Sequence, residues 1–186
     1  TLFRSNIDMP TAEHLKNEAG SNGAGLCVFT SIEEAARWHN IPRFMREFQK
    51  WMMTQPGGGH PSKVDKCIEQ FCRLKGIKPP DYLQNTDGNM DLLAFAVNKG
   101  YMPGVTYCIS PTGRYGGKVI AHMVNCVAAR CGPNRDLWAI LDNNYVGSIE
   151  WMTEAQFARS FKGNSGGWFF VWLAPPPPLP PRNVSW

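Results

Sequence analysis

An α+β fold is predicted for this chain of 186 residues, with helices first and antiparallel strands second. Three observations carry the prediction. Up to residue 100 the apolar residues recur mostly at helical spacing. From residue 101 alternating and β-branched runs replace them. Hydrophobic residues make up 43% of the chain and charged residues 18%, which supplies one sizeable core. One domain is expected over residues 1–174, helical over about 11–100 and β over about 101–174. A Pro-rich tail, 175–186, follows it.

Residues 11–17 suit a short polar helix capped by Thr11. Residues 17–25 form a loop rich in glycine. It runs into a helix over 26–39, where Val28, Ile32, Ala35 and Ala36 share the apolar face. Pro42 separates this helix from a second one over 42–53, carrying Phe44, Phe48 and Trp51. Residues 55–61 are a Gly/Pro loop. Residues 62–75 suit a third helix, capped by Ser62 and stopped by Gly76. Residues 91–99 suit a fourth, closed by Gly100. Strands are predicted over 105–109, 118–129, 136–141 and 167–173, with a hairpin-like link at 130–135. Between the last two strands lies a helix over 153–161. Thr153 and Gln156 give it a capping-box pattern.

Composition excludes several classes. The net charge of +4 is spread along the chain, and Glu47 interrupts the basic stretch 43–50, so a nucleic-acid surface is not expected. No apolar run reaches membrane-spanning length. Residues 1–10 lack a signal core, and the chain starts without Met, so a cytoplasmic protein and one secreted after processing both stay open. The six cysteines, at 27, 67, 72, 108, 126 and 131, form no CxxC pair, which argues against a zinc or thioredoxin motif. Free thiols are expected, with Cys126–Cys131 or Cys67–Cys72 as the pairs that could bridge. The tail 175–181 should adopt polyproline II, as a spacer, packed on its own domain or offered to a partner.

Three features bear chemistry. Cys27 stands where the glycine-rich loop becomes a helix. Unpaired N–H groups and the helix dipole favour a thiolate there. Gly23, Ala24 and Gly25 leave room for a substrate backbone. The plainer alternative is a buried structural cysteine. His122 opens an apolar strand, whereas His14 and His39 read as helix-surface residues and His60 lies in a loop. A thiolate needs such an imidazole as its ion-pair partner and proton donor; the alternative is a core histidine. The strand ending at Leu141 runs into Asp142, Asn143 and Asn144. If it pairs with the His122 strand, Asp142 or Asn143 comes level with the ring and fixes its tautomer. The alternative is a turn-forming Asx cluster.

In this order, Cys then His then Asx, the sequence resembles the papain-like cysteine peptidases. Cys27, Val28, Phe29, Thr30, Ser31 and Ile32 look like the start of that family's active-site helix, with Gly25 two residues ahead. Residues 122–157 are closer to the bacteriocin-processing bacterial branch. There a His strand precedes a strand ending in Asp, a glycine turn and a Trp/Met-Ser/Thr-x-x-x-Phe helix entrance, here Asp142, Gly147 and Trp151 to Phe157. The resemblance spans residues 17–173. It implies an N-terminal helical lobe packed on a C-terminal antiparallel sheet, and a cysteine peptidase acting on a peptide or protein substrate. No metal or cofactor is implied.

Two departures shape the expectations. The family usually places a Gln before the cysteine as oxyanion donor. No Gln stands there, so Asn22 is the expected donor, one methylene shorter, with Ser21 as the nearest hydroxyl. Cys27 and His122 are 95 residues apart (122 − 27), against about 130–150 in papain and cathepsins, which implies a trimmed helical lobe. The papain branch would choose Asn143 as third member, the bacteriocin-processing branch Asp142. Trp151 is the candidate shield of the His–Asx bond. Specificity is expected between the helical lobe and residues 101–109, gated by Gly57–Gly59 and by the loop 113–117. Two further readings use the same residues: a transglutaminase-like or amidase acyl transfer, and a catalytically weak binding module.

Overall fold

Leu26, Phe29, Ile32, Ala35 and Ala36 make the helix they belong to apolar enough to be enclosed rather than laid on a surface. α1 (Cys27–Trp38) is buried from Val28 to Ala36. The computed structural model describes residues 7–178; the expectations for residues 1–6 and for 179–186 of the tail lie outside them. Two buried acids on α1 have separate duties. Glu33 accepts the backbone N–H groups of Arg46 and Gln49, both at 2.6 Å, and Glu34 accepts that of Leu15 at 3.2 Å.

The other helices are α2 (Phe48–Met52), α3 (Pro61–Lys75), α4 (Met90–Asn98) and α5 (Glu154–Lys162). α3 starts with Pro61 in its first turn, and its cap is His60, whose ring accepts the Lys63 N–H. Gly76, at φ +63°, ends it in the left-handed conformation that suits glycine. Asn89 caps α4, and Thr153 with Gln156 forms the expected capping box on α5.

Six strands form one antiparallel sheet: β1 (Tyr82–Asn85), β2 (Gly104–Tyr107), β3 (His122–Cys131), β4 (Leu137–Leu141), β5 (Ile149–Thr153) and β6 (Phe169–Trp172). Their spatial order is β1-β6-β2-β3-β4-β5. The chain is therefore α+β, with five α-helices among the described residues. α1 packs on β3, β2 and β6, at the middle of the sheet. The approach is close: a Cβ on Gly104 would lie 3.4 Å from that of Ser31. Phe44, Phe48, Phe71 and Trp172 fill the space between α1, α3 and β6, with ring centroids 4.8–5.2 Å apart. Each such buried ring contributes roughly 1.5–3 kcal/mol.

Several expectations need correction. Residues 11–17 form only a 3-10 turn, Thr11–Glu13. The helix over 42–53 shrinks to the single turn of α2, because Arg46 sits at φ +67° with its N–H held by Glu33. His60, not Ser62, caps α3. The edge strands β1 and β5 were not foreseen. All six cysteines are free, so neither proposed bridge forms. His39 is buried rather than on a helix surface, and accepts the Met102 N–H at 3.3 Å. Burial pushes its ring down to a pKa of about 4, so it stays neutral.

Candidate active site

The antiparallel pairing of β2 with β3 sets Tyr107 opposite His122 and brings His122 to the end of β3, facing the start of α1. There α1 opens on Cys27, preceded by Leu26, and no side chain caps it. The first N–H groups of a helix have no carbonyl within the helix. The N–H of Val28 in that first turn, with that of Met123 on β3, favours the anionic form of the Cys27 sulfur.

Cys27, His122 and Asp142 come together at this point and act on one another's titration. His122 Nε2 lies 2.9 Å from Asp142 Oδ1, and the Cys27 sulfur is the ring's other partner. Burial alone would raise the Cys27 thiol. The hydrogen bond and charge of His122, with the two amides, outweigh it and bring the thiol below its ordinary value. Burial alone would lower His122, yet Asp142 and Cys27 lift it to about 9. Asp142 is buried too, but His122, the Tyr115 hydroxyl and the Asn144 N–H keep its carboxyl below the ordinary range. All three shifts run in the direction that favours a thiolate on Cys27, an imidazolium on His122 and a carboxylate on Asp142.

Of the two Asx candidates, only Asp142 faces the ring. Asn143 is turned the other way: its amide donates to the carbonyl oxygens of Cys27 (3.2 Å) and Met123 (3.1 Å) and to Ser31 Oγ (3.1 Å). It fastens the first turn of α1 to β3.

Asn22 does not reach the site. It is exposed, and its Oδ1 accepts the N–H groups of Ala24 (3.2 Å) and Gly57 (2.7 Å), holding two loops together. Ser21 is exposed as well, its N–H donating to the Gln55 carbonyl at 2.9 Å. The amide that does line the cleft is Asn17. A β-bridge between Ala19 and Gly25 folds the glycine-rich loop back on itself. That turn sets Asn17 beside Leu26, whose N–H it accepts at 3.1 Å, and its Nδ2 donates to Asn144 Oδ1 at 3.1 Å. Ten residues before the cysteine, Asn17 looked unrelated to it; only the hairpin-like loop makes it a neighbour.

Trp151 lies on β5 opposite Ala139, outside the cleft lining, and is not the shield of the His122–Asp142 bond. Tyr115 occupies that place. Its ring meets the His122 ring edge-on at 5.9 Å, and its hydroxyl donates to Asp142 Oδ2 at 2.7 Å. Behind it stands Glu150, buried on β5, which accepts the hydroxyls of Tyr107, Ser110 and Thr112. Sequence reading missed Tyr115 and Glu150. An acid within an alternating segment, Ile149 to Met152, was the available signal for Glu150.

The cleft has a volume of about 760 Å³. On one side it is bounded by Gly58, Gly59, His60 and Pro61, and on another by Thr106, Tyr107 and Cys108. Residues 163–166 and Trp168 complete it. No Asp, Glu, Lys or Arg is among the described residues that line it. The glycine loop is tightly fixed. A Cβ on Gly57 would lie 2.0 Å from the Ala24 carbonyl oxygen, and one on Gly59 would lie 2.6 Å from Val28 Cγ2. The Lys63 ammonium donates to the carbonyls of Pro56, Gly57 and Gly58 at 2.6–2.8 Å. No group of His, Cys, Asp and Glu side chains suited to a metal ion occurs among the described residues, and no helix there is long and apolar enough to cross a membrane.

Comparison with known proteins gives no match: no family model, no curated protein and no solved structure is significantly similar to this chain.

Proposed function

We propose that the chain is a papain-like cysteine peptidase that hydrolyses peptide or isopeptide bonds. One observation carries this reading. His122 is held by Asp142 through Nε2 at 2.9 Å while it partners Cys27, at the mouth of an open cleft. A structural cysteine needs neither an ion-pair partner nor a pocket beside it.

In the proposed mechanism the Cys27 thiolate attacks the carbonyl carbon and a tetrahedral oxyanion forms. The Cys27 N–H and Asn17 Nδ2 stabilise that oxyanion. The C–N bond breaks as His122 protonates the leaving amine, which leaves a thioester on Cys27 and a neutral imidazole. His122 then takes a proton from water, which attacks the thioester and releases the acid, and the ion pair is restored. Asp142 holds the ring throughout. With no Asp, Glu, Lys or Arg among the described residues of the cleft lining, recognition away from the Cys27–His122 pair rests on backbone hydrogen bonds and apolar contact, which fits an uncharged, extended segment of a peptide or protein.

The test is site-resolved labelling by iodoacetamide together with cleavage of a mixed peptide library. Wild-type Cys27 should label near pH 6 ahead of the other five cysteines. His122→Ala should cut both labelling and cleavage by roughly 10²–10⁴-fold, and Cys27→Ser should abolish them. An inert Cys27 in the folded protein would overturn the reading. Labelling with amine incorporation but no hydrolysis would replace it with acyl transfer.

A further inference from the structure

Five residues, Gly113 to Gly117, cross the candidate site between β2 and β3 as Gly-Arg-Tyr-Gly-Gly. Gly113, Gly116 and Gly117 have positive φ of 82°, 62° and 72°. Tyr115 shares that conformation at φ +62°, which non-glycine residues adopt uncommonly and which side-chain contacts enforce here. The enforcing contacts converge on the His122–Asp142 pair. Tyr115 donates its hydroxyl to Asp142 Oδ2 at 2.7 Å, and Asn144 Nδ2 donates to the same hydroxyl at 3.1 Å. Its ring packs edge-on against Tyr145 at 5.3 Å. The strap is anchored upstream, where Ser110 and Thr112 donate to buried Glu150. Arg114 donates to Ser148 Oγ at 2.9 Å, stacks over Tyr145 at 4.8 Å, and sets Nη1 3.7 Å from Glu150 and 3.9 Å from Asp142.

We propose that Tyr115 is a positioning residue: carried on this glycine-flanked strap, its hydroxyl fixes Asp142 so that Oδ1 stays aimed at His122, while its ring keeps water from that bond. The inference rests on the peptidase reading. Asp142 has two oxygens and two sets of partners: Oδ1 meets His122 and the Asn144 N–H, and Oδ2 meets Tyr115. Without the hydroxyl, Oδ2 has only Arg114 at 3.9 Å, and the carboxylate can rotate off the ring. A loosened carboxylate holds the imidazolium less well, and the thiolate then loses its countercharge. Burial and Asp142 raise the Tyr115 phenol well above its ordinary value, so it remains a donor at any pH of interest. The titratable and charged groups facing the pair are Cys27 from α1, Tyr107 from β2, Arg114 and Tyr115 from the strap, Tyr145 after β4, and Glu150 from β5.

The experiment is the rate of Cys27 alkylation by iodoacetamide against pH, resolved by site with mass spectrometry. The full chain is compared with Y115F, which keeps the ring, and Y115A, which removes it; thermal melting checks folding. In Y115F the acid limb should move up by roughly half to one pH unit, with alkylation near the wild-type limb slowed about three- to tenfold. Y115A should move it further. A Y115F limb within about 0.2 units of wild type, or shifted down, overturns the role of Tyr115 whatever Y115A does, while the peptidase reading stands. A wild-type limb at the ordinary thiol value overturns both. Should Y115A fail to fold, Y115F carries the test.

Discussion

The amide of Asn143 lies 3.2 Å from the carbonyl oxygen of Cys27 and 3.1 Å from that of Met123, and it is buried. It thereby ties the residue that carries the thiol to the strand that carries the imidazole. The neighbouring Asp142 meets the His122 ring, while Asn143 holds α1 against β3. Replacing Asn143 with Ala leaves buried acceptors short of a donor, at roughly 1–3 kcal/mol of stability. Urea unfolding should show that loss as a lower midpoint with an unchanged slope. Asp142→Asn should lower Cys27 reactivity near pH 6 without the contact between α1 and β3 being touched. Equal stability of Asn143→Ala and wild type would show that the amide is not the clamp.

The pH window follows from the two shifts. The Cys27 thiol is held below its ordinary value, so its thiolate is lost as pH falls through that depressed value. His122 is raised to about 9, so its charge is lost as pH rises through about 9. Peptide cleavage should therefore give a bell-shaped kcat/KM profile, bounded above near 9 by His122 and below by Cys27. For folding the sign for His122 is the same. Its raised value contributes stability that is complete below its unfolded value, near 6.5, and that fades as pH climbs through about 9. The depressed Cys27 thiol contributes with the opposite sign, gaining stability as pH rises toward its ordinary value. The two shifts therefore offset, and denaturant titrations at pH 6.5 and 9.5 should show little net change for wild type from this pair. An alkaline limb unmoved by any change at His122 or Asp142 would contradict this assignment.

Local patterns were sufficient for some parts of this architecture and silent on others. Thr153 with Gln156, and Gly76 after α3, are signals confined to a few residues, and both appear as caps. Cys27 at a helix start and His122 at a strand start were legible because each sits at a change of pattern. The choice between Asp142 and Asn143 was not, since it depends on how the chain turns after β4. Asn17 was invisible for a similar reason: the Ala19–Gly25 bridge, not spacing, brings it to Leu26. β1 is four residues long and gains its partners only from β6, far along the chain. Tyr115 escaped notice because a glycine-flanked tyrosine reads as a loop until its hydroxyl is seen against Asp142.

Asn17 and Asn22 offer a contrast that separates oxyanion stabilisation from loop integrity. Both are amides of the same glycine-rich loop, and both accept backbone N–H groups. Only Asn17 lines the cleft, with Nδ2 pointed at the Asn144 side chain beside His122. If its amide stabilises the oxyanion, Asn17→Ala should lower kcat by roughly 10–10³-fold with little change in KM, since the interaction is made in the transition state. Cys27 alkylation should change much less, because iodoacetamide forms no tetrahedral oxyanion. Asn22→Ala removes the tie between the Ala24 and Gly57 loops, so its effect should fall on KM and on thermal stability, with kcat largely kept. Asn17→Ala and Asn22→Ala giving the same kcat would remove Asn17 from the mechanism and leave the Cys27 N–H as the remaining donor to the oxyanion.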